Sequence, residues 1–192
     1  MNVLIVVATK QEIISEKVLE HPTLYTGVGM VNTAVSLTKK LLENNYSLVI
    51  NMGIAGSFND LIKVGDVVEV TEDIFSEIGF ENGDYFSEFT DFNIKNSYKN
   101  VAKTNLKKVK GITVNTVHGH KQSIVEVKNR LSPDIESMEG AVIFKVCDDF
   151  NTPCIQIRSI SNKVERRNKE SWDIEMAIRN LNINVENILN KL

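Results

Sequence analysis

Short aliphatic runs alternate with helix-period stripes along this chain, and that alternation constrains the fold more than any other feature. Val3-Leu4-Ile5-Val6-Val7-Ala8 is rich in β-branched residues, shows no polar alternation and stops at Thr9-Lys10. Met1 to Ala8 therefore reads as a strand covered on both faces. Thr23 to Gly27, Ser47 to Asn51, Val67 to Val70 (opened by Gly65-Asp66), Ile112 to Val117 and Pro153 to Ile160 are further strand candidates. Between and after them lie helical patterns. Gly29 to Asn44 carries Val31, Ala34, Val35, Thr38, Leu41 and Leu42 on one stripe and ends at Asn44-Asn45. Lys121 to Leu131 is closed by Ser132-Pro133, Met138 to Phe150 repeats the apolar spacing, and Lys169 to Leu192 predicts a long final helix. Strands hidden on both faces need helices on both. The pattern thus predicts one α/β domain over residues 1–192, with a twisted, mostly parallel (mixed) central sheet flanked by helices.

Length and charge then bound the function. At 192 residues the chain is near the roughly 150 expected of one domain and long enough to bury a sizeable core. Its 22 basic and 25 acidic side chains leave a net charge of −3, which gives no basic footprint for a nucleic acid. The longest apolar runs are far too short to cross a bilayer, and Met1-Asn2 offers no basic region ahead of the first one. Cys147 and Cys154 fit no zinc or redox spacing, and His21, His118 and His120 suggest no metal cluster. The expectation is a cytoplasmic protein with no metal and no organic cofactor.

Phe75 to Tyr98 is the odd stretch. It holds seven of the thirteen aromatic residues, interleaved with Glu, Asp, Ser and Gly. Such a segment is either an excursion that packs its own small cluster or an aromatic lid or subunit contact. In a parallel α/β sheet, ligands bind beyond the carboxyl ends of the strands, and unusual residues gather at several of those ends. Glu12 follows the first strand, Gly27-Val28-Gly29 the second and Asn51-Met52-Gly53-Ile54-Ala55-Gly56 the third; Ser137-Met138-Glu139-Gly140 opens a helix and Ser161-Asn162 ends the last strand. Each alone has an ordinary explanation: a solvated glutamate in a first helical turn, or a tight glycine turn. Position 32 is Asn, so the dinucleotide fingerprint fails, and no Walker A sequence exists.

Together these segments are more specific. Ala8-Thr9-Lys10-Gln11-Glu12, Thr26-Gly27-Val28-Gly29, the Asn51 to Gly56 motif, Gly65-Asp66, Glu136-Ser137-Met138-Glu139-Gly140-Ala141 and Ile157-Arg158-Ser159-Ile160-Ser161-Asn162 resemble the purine nucleoside phosphorylase/nucleosidase superfamily over nearly the whole chain. Within it, Val114 to Gly119 and Ser161 to Asn168 are similar to the futalosine hydrolases, and Glu12 and the Met-Glu pair to the methylthioadenosine/adenosylhomocysteine nucleosidases. The resemblance implies hydrolysis of an N-ribosidic bond through an oxocarbenium-like sugar. It implies Glu12 as the base that activates water and Glu139 as the anion that holds ribose hydroxyls and favours the developing cation. Met138 would pack on the sugar, Ala55 and Gly56 would approach sugar or water, and Val117, His118 and Gly119 would wall the base. Trp172 would pack on the base or its substituent, unless it only caps the last helix. A small nucleoside substrate and a homodimer or higher homo-oligomer are implied as partners, with no nucleic acid and no membrane.

Three departures from the family pattern sharpen the reading. Asn162 stands where adenine-cleaving members carry an Asp that protonates the leaving base. An amide has both donor and acceptor, so it suits O6 and a protonated N7 of hypoxanthine. The five arginines, Arg130, Arg158, Arg166, Arg167 and Arg179, all lie at or beyond residue 130, and Asn51 replaces an arginine typical of phosphorylases. Water is therefore the expected nucleophile, since arginine is the usual phosphate clamp. Ile54 stands where adenosine-type nucleosidases carry a Ser, so the water must be held in another way. The expected activity is release of hypoxanthine from futalosine. The rivals are an adenine-releasing nucleosidase, a nucleoside phosphorylase and a nucleoside-binding protein without turnover.

Overall fold

The computed structural model describes residues 1–83, 85–89 and 92–192. β1 (Val3–Val7) is buried at all five positions, and its side chains divide with the two-residue period of a strand. Leu4 and Val6 enter one core cluster, whereas Val3, Ile5 and Val7 enter another on the opposite face. Each fully buried aliphatic side chain of this kind contributes roughly 1.5–3 kcal/mol. α1 (Glu16–Leu19) follows, capped by the Ser15 hydroxyl on Val18 N. Then come β2 (Thr23–Tyr25), α2 (Met30–Glu43), β3 (Leu48–Ser57) and β4 (Val67–Phe75). β5 (Phe80–Asn82) and β6 (Tyr85–Ser87) form a separate two-stranded sheet, and β7 (Ser97–Lys99) returns to β4. The chain finishes through β8 (Lys107–Thr113), α3 (Lys121–Leu131), β9 (Ile135–Ser137), α4 (Gly140–Asp149), β10 (Cys154–Lys163) and α5 (Ile174–Leu189).

The sheet is mixed, and part of it closes on itself. β1 lies parallel to both β2 and β3. β3 is parallel to β10, β10 antiparallel to β4, β4 parallel to β8 and β8 parallel to β9. β9 then pairs antiparallel with the far end of β3 through Gly56–Glu136 and Ser57–Ile135. The five strands β3, β10, β4, β8 and β9 therefore form a ring, with β1 and β2 extending from β3. On one face α2 and α4 contribute Leu37, Leu41, Val142, Ile143 and Cys147 to the core. On the other, α1 and α5 contribute Val18, Leu181 and Val185. Among the described residues no helix is long and apolar enough to cross a membrane.

The expected α/β architecture is present, with several boundaries corrected. The strand expected at Ile112 to Val117 spans Lys107–Thr113 instead; Lys107, Lys108 and Lys110 obscured its hydrophobic pattern, and Asn115 onward is loop. β4 runs on to Phe75, five residues past its expected end. The last helix begins at Ile174, where the Asp173 side chain caps Met176 N at 2.8 Å, and Lys169–Ser171 is a separate 3₁₀ turn. In the aromatic stretch, residues 84, 90 and 91 lie outside the described residues. Part of it packs on itself, Phe89 lying 5.4 Å from Phe80 and 5.6 Å from Phe92, centroid to centroid, while Phe75 and Tyr98 join the main core. The Arg130 guanidinium lies over Phe86.

Candidate active site

A cavity of about 310 Å³ opens at the carboxyl ends of β1, β3 and β10. Glu12, Ala55, Gly56, Val117, His118, Met138, Glu139, Asn162 and Trp172 all line it, so the fold brings together nine of the ten expected site residues. Gly119 is the exception and is corrected here. It does not line the cavity; its carbonyl accepts from Arg167 N at 3.2 Å, and a Cβ on it would meet the Arg167 side chain at 3.3 Å. None of the described residues of the aromatic stretch lines the cavity.

Glu12 is positioned by the 3₁₀ turn Lys10–Glu12 that follows β1. Its Oε2 accepts from Thr9 N at 2.9 Å and from the Thr9 hydroxyl at 3.1 Å, a reciprocal cap of the turn. Oε1 accepts from Ile54 N at 3.4 Å, so the backbone at Ile54 reaches the carboxylate where the side chain has no hydroxyl. Glu139 comes from the other side, at the N-terminus of α4. Its Oε1 accepts from Gly29 N at 2.9 Å. Gly29 has φ of +94°, a conformation that glycine alone adopts readily and that lets its N–H meet the carboxylate. Burial pushes the Glu139 carboxyl above its ordinary range, the Arg158 charge and the Gly29 N–H oppose that shift, and Glu12 adds to it.

Arg158, which the sequence analysis counted only among the arginines, is 1% exposed. Its Nη2 donates to Asn51 Oδ1 at 2.6 Å, while Asn51 Nδ2 donates to Val6 O at 3.0 Å. The position that lacks the phosphorylase arginine thus holds a different arginine in place. Burial lowers the Arg158 pKa, and Glu139, Asp73 and Glu12 act against that lowering. Arg158 therefore places a buried positive charge near both cavity carboxylates. Gly53 keeps the space open, because a Cβ there would lie 3.2 Å from both Arg158 Nη1 and Glu12 Oε1. Deeper still, Asp73 accepts from the Thr113 hydroxyl at 2.8 Å, and burial raises its pKa to about 6. A Cβ on Gly140 would collide with Asp73 Oδ2 and Gln156 Oε1, which explains the glycine after Glu139.

Asn162 is re-aimed by a β-bulge. Ile160 pairs with Ala55 and Asn162 with Gly56, leaving Ser161 as the extra residue. The Ser161 hydroxyl donates to Asn162 Oδ1 at 2.8 Å, and Asn162 Nδ2 donates to Lys163 O at 2.9 Å, which fixes the amide at the cavity edge. Trp172 lies under the Arg167 guanidinium at 5.1 Å. Glu136, Ser137, Ile174 and Ile178 also line the cavity and were not singled out as individual site residues. The signal for Arg158 was present, as a charge in an apolar run, whereas Glu136 is one charge among several. Among the described residues no group of three or more His, Cys, Asp or Glu side chains could hold a metal.

An α/β fold whose mostly apolar pocket holds two carboxylates near a buried arginine has the form of a site for a small organic molecule. More narrowly, the chain belongs to the phosphorylase superfamily, whose family model matches residues 20–192, and it is a nucleosidase of that superfamily. It is 31% identical over 183 residues to the 5′-methylthioadenosine/S-adenosylhomocysteine nucleosidase of Psychromonas ingrahamii, covering 87% of this chain and 79% of the relative. It is 28% identical to the protein of the same name from a Marinomonas species, covering 86% and 79%. Among solved structures, a mutant Helicobacter pylori methylthioadenosine nucleosidase with 5′-methylthioadenosine in its active site superposes with a TM-score of 0.86 at 19% identity, over 100% of this chain and 99% of that one. The futalosine hydrolase of the same organism superposes with a TM-score of 0.86 at 17% identity, over 99% and 97%.

Proposed function

We propose that this nucleosidase hydrolyses the N-ribosidic bond of futalosine, releasing hypoxanthine and dehypoxanthinyl futalosine on the way to menaquinone. The observation that carries the reading is Asn162, an amide set by its bulge and by Ser161 at the cavity edge. Its remaining donor and acceptor capacity suits O6 and a protonated N7 of a 6-oxopurine. In this reading Glu12 takes a proton from the water that attacks C1′, and Glu139 accepts hydrogen bonds from ribose hydroxyls and stabilises the cationic sugar. Buried Arg158 opposes the rise that burial imposes on the Glu139 carboxyl, and Met138, Val117 and Trp172 supply apolar contact. The resemblance further supports a homo-oligomer, and exposed Val31, Val35 and Leu42 on α2 offer apolar surface for it.

A second reading, a methylthioadenosine/adenosylhomocysteine nucleosidase, is favoured by the names of the two sequence relatives. Asn162→Asp separates the two. It is expected to shift the ratio of kcat/KM for futalosine over methylthioadenosine toward the aminopurine by about 10², the scale of one or two mismatched buried polar contacts. Steady-state rates on both substrates check this. An unchanged ratio would remove the amide as the basis for base choice.

A further inference from the structure

Glu136 has no role in the chemistry described so far, yet it is only 4% exposed and lines the cavity. An ionised carboxylate facing a mostly apolar cavity is costly to maintain unless it meets a partner. β9 holds it from both sides, through Gly56 of β3 and Ile112 of β8. Its Oε1 accepts from His118 N at 3.0 Å, and its Oε2 lies 2.6 Å from His118 Nδ1. Two contacts leave acceptor capacity on both oxygens, because a carboxylate offers about four lone-pair sites. The group is thus locked in orientation and can still accept hydrogen bonds from the cavity.

Its position relative to Asn162 gives the capacity a use. A Cβ at Gly56 would lie 3.2 Å from Asn162 Nδ2 and 3.6 Å from Glu136 Cγ, so the two side chains are neighbours over one backbone position. In a purine, O6 and N1 are likewise neighbours on one edge. A base whose O6 meets the Asn162 amide therefore turns N1 toward Glu136. In a 6-oxopurine N1 carries a hydrogen, whereas in a 6-aminopurine N1 is a bare acceptor. We propose that Glu136, clamped by His118, is a specificity residue that reads N1–H of the base and rejects 6-aminopurines by setting an anion against their N1 lone pair. This rests on the 6-oxopurine reading of the site and extends it to a residue that the reading did not need.

The test pairs futalosine with the same nucleoside bearing a 6-aminopurine base, so that only the base differs. In the unaltered protein the 6-oxo substrate is expected to win by at least ~10² in kcat/KM, as sites built around a buried hydrogen bond do. Glu136→Gln, which can donate to a bare N1, is expected to reduce that ratio at least tenfold. Calorimetric binding of free hypoxanthine and 1-methylhypoxanthine adds a readout independent of turnover: methylation should weaken binding at least tenfold in the unaltered protein and much less in Glu136→Ala. A merely structural clamp on His118 would lower both substrates together and leave the ratio in place. A 6-oxo preference that survives Glu136→Gln intact overturns the role of Glu136 while leaving the 6-oxopurine reading standing. A preference of the unaltered protein for the 6-amino congener overturns both. If neither variant folds, equal binding of the two free bases by the unaltered protein is sufficient to overturn the inference.

Discussion

Glu12→Gln is expected to lower kcat by roughly 10²–10⁴, the range for loss of a positioned general base, with little change in thermal stability. The amide keeps the size of the carboxylate, and its oxygen can still accept from Thr9 N or from the Thr9 hydroxyl, the contacts that hold the turn. It cannot take a proton from water. Because the Arg158 charge acts on Glu139 and Asp73 as well as on Glu12, neutralising Glu12 leaves its influence on Glu139 in place. Substrate binding through Glu139 should therefore persist, and the loss should fall on kcat more than on KM. Rapid-mixing assays of base release, alongside a melting curve, check this. Near-normal kcat in a folded variant would remove Glu12 from the chemistry.

Arg158→Met is expected to be the most destabilising of the substitutions considered. The methionine fills much of the volume but removes a buried charge that lies near three carboxylates, Glu12, Glu139 and Asp73, and it leaves Asn51 Oδ1 without its donor. Leaving a buried polar group without its partner costs about 1–3 kcal/mol, and loss of the nearby buried charge adds to that, so for a protein of this size Tm should fall by on the order of 10 °C. The Glu139 and Asp73 carboxyls, already raised by burial, would also lose the charge that opposes that rise, so activity should fall as well. Lysine at the same position should recover only part of the stability, since it lacks the fork that reaches Asn51. A Tm for Arg158→Met within about 2 °C of the parent protein would contradict this role for Arg158.

The parts of this molecule that were legible in the sequence are those with strong periodicity or unusual punctuation. β1 and α2 follow from uninterrupted aliphatic and helix-period patterns, and their positions agree with expectation to within about two residues. Glu12, Glu139 and Asn162 stand past expected strand ends or at a helix start, the family resemblance singled them out, and the fold lines one cavity with all three. β9 was missed because three residues carry no periodic signal, and β8 was misplaced because its lysines hide a strand that is buried over its second half. Arg158 is legible as a charge in an apolar run, whereas Glu136, between Asp134 and Glu139, is one charge among several. What they touch depends on pairings between strands about fifty or more residues apart in some cases, such as Arg158 with Asn51, and local sequence does not encode that. The resemblance alone implied Gly119 in the wall with Val117 and His118, and in the fold its carbonyl accepts from Arg167 N instead.

The most direct test of the account is to supply the purified protein with futalosine, methylthioadenosine and inosine, each with and without inorganic phosphate, and to measure the free base released. The account predicts hypoxanthine from futalosine at a rate indifferent to phosphate, and little or no adenine from methylthioadenosine. Efficient release of adenine from methylthioadenosine, or release that requires phosphate, would contradict it.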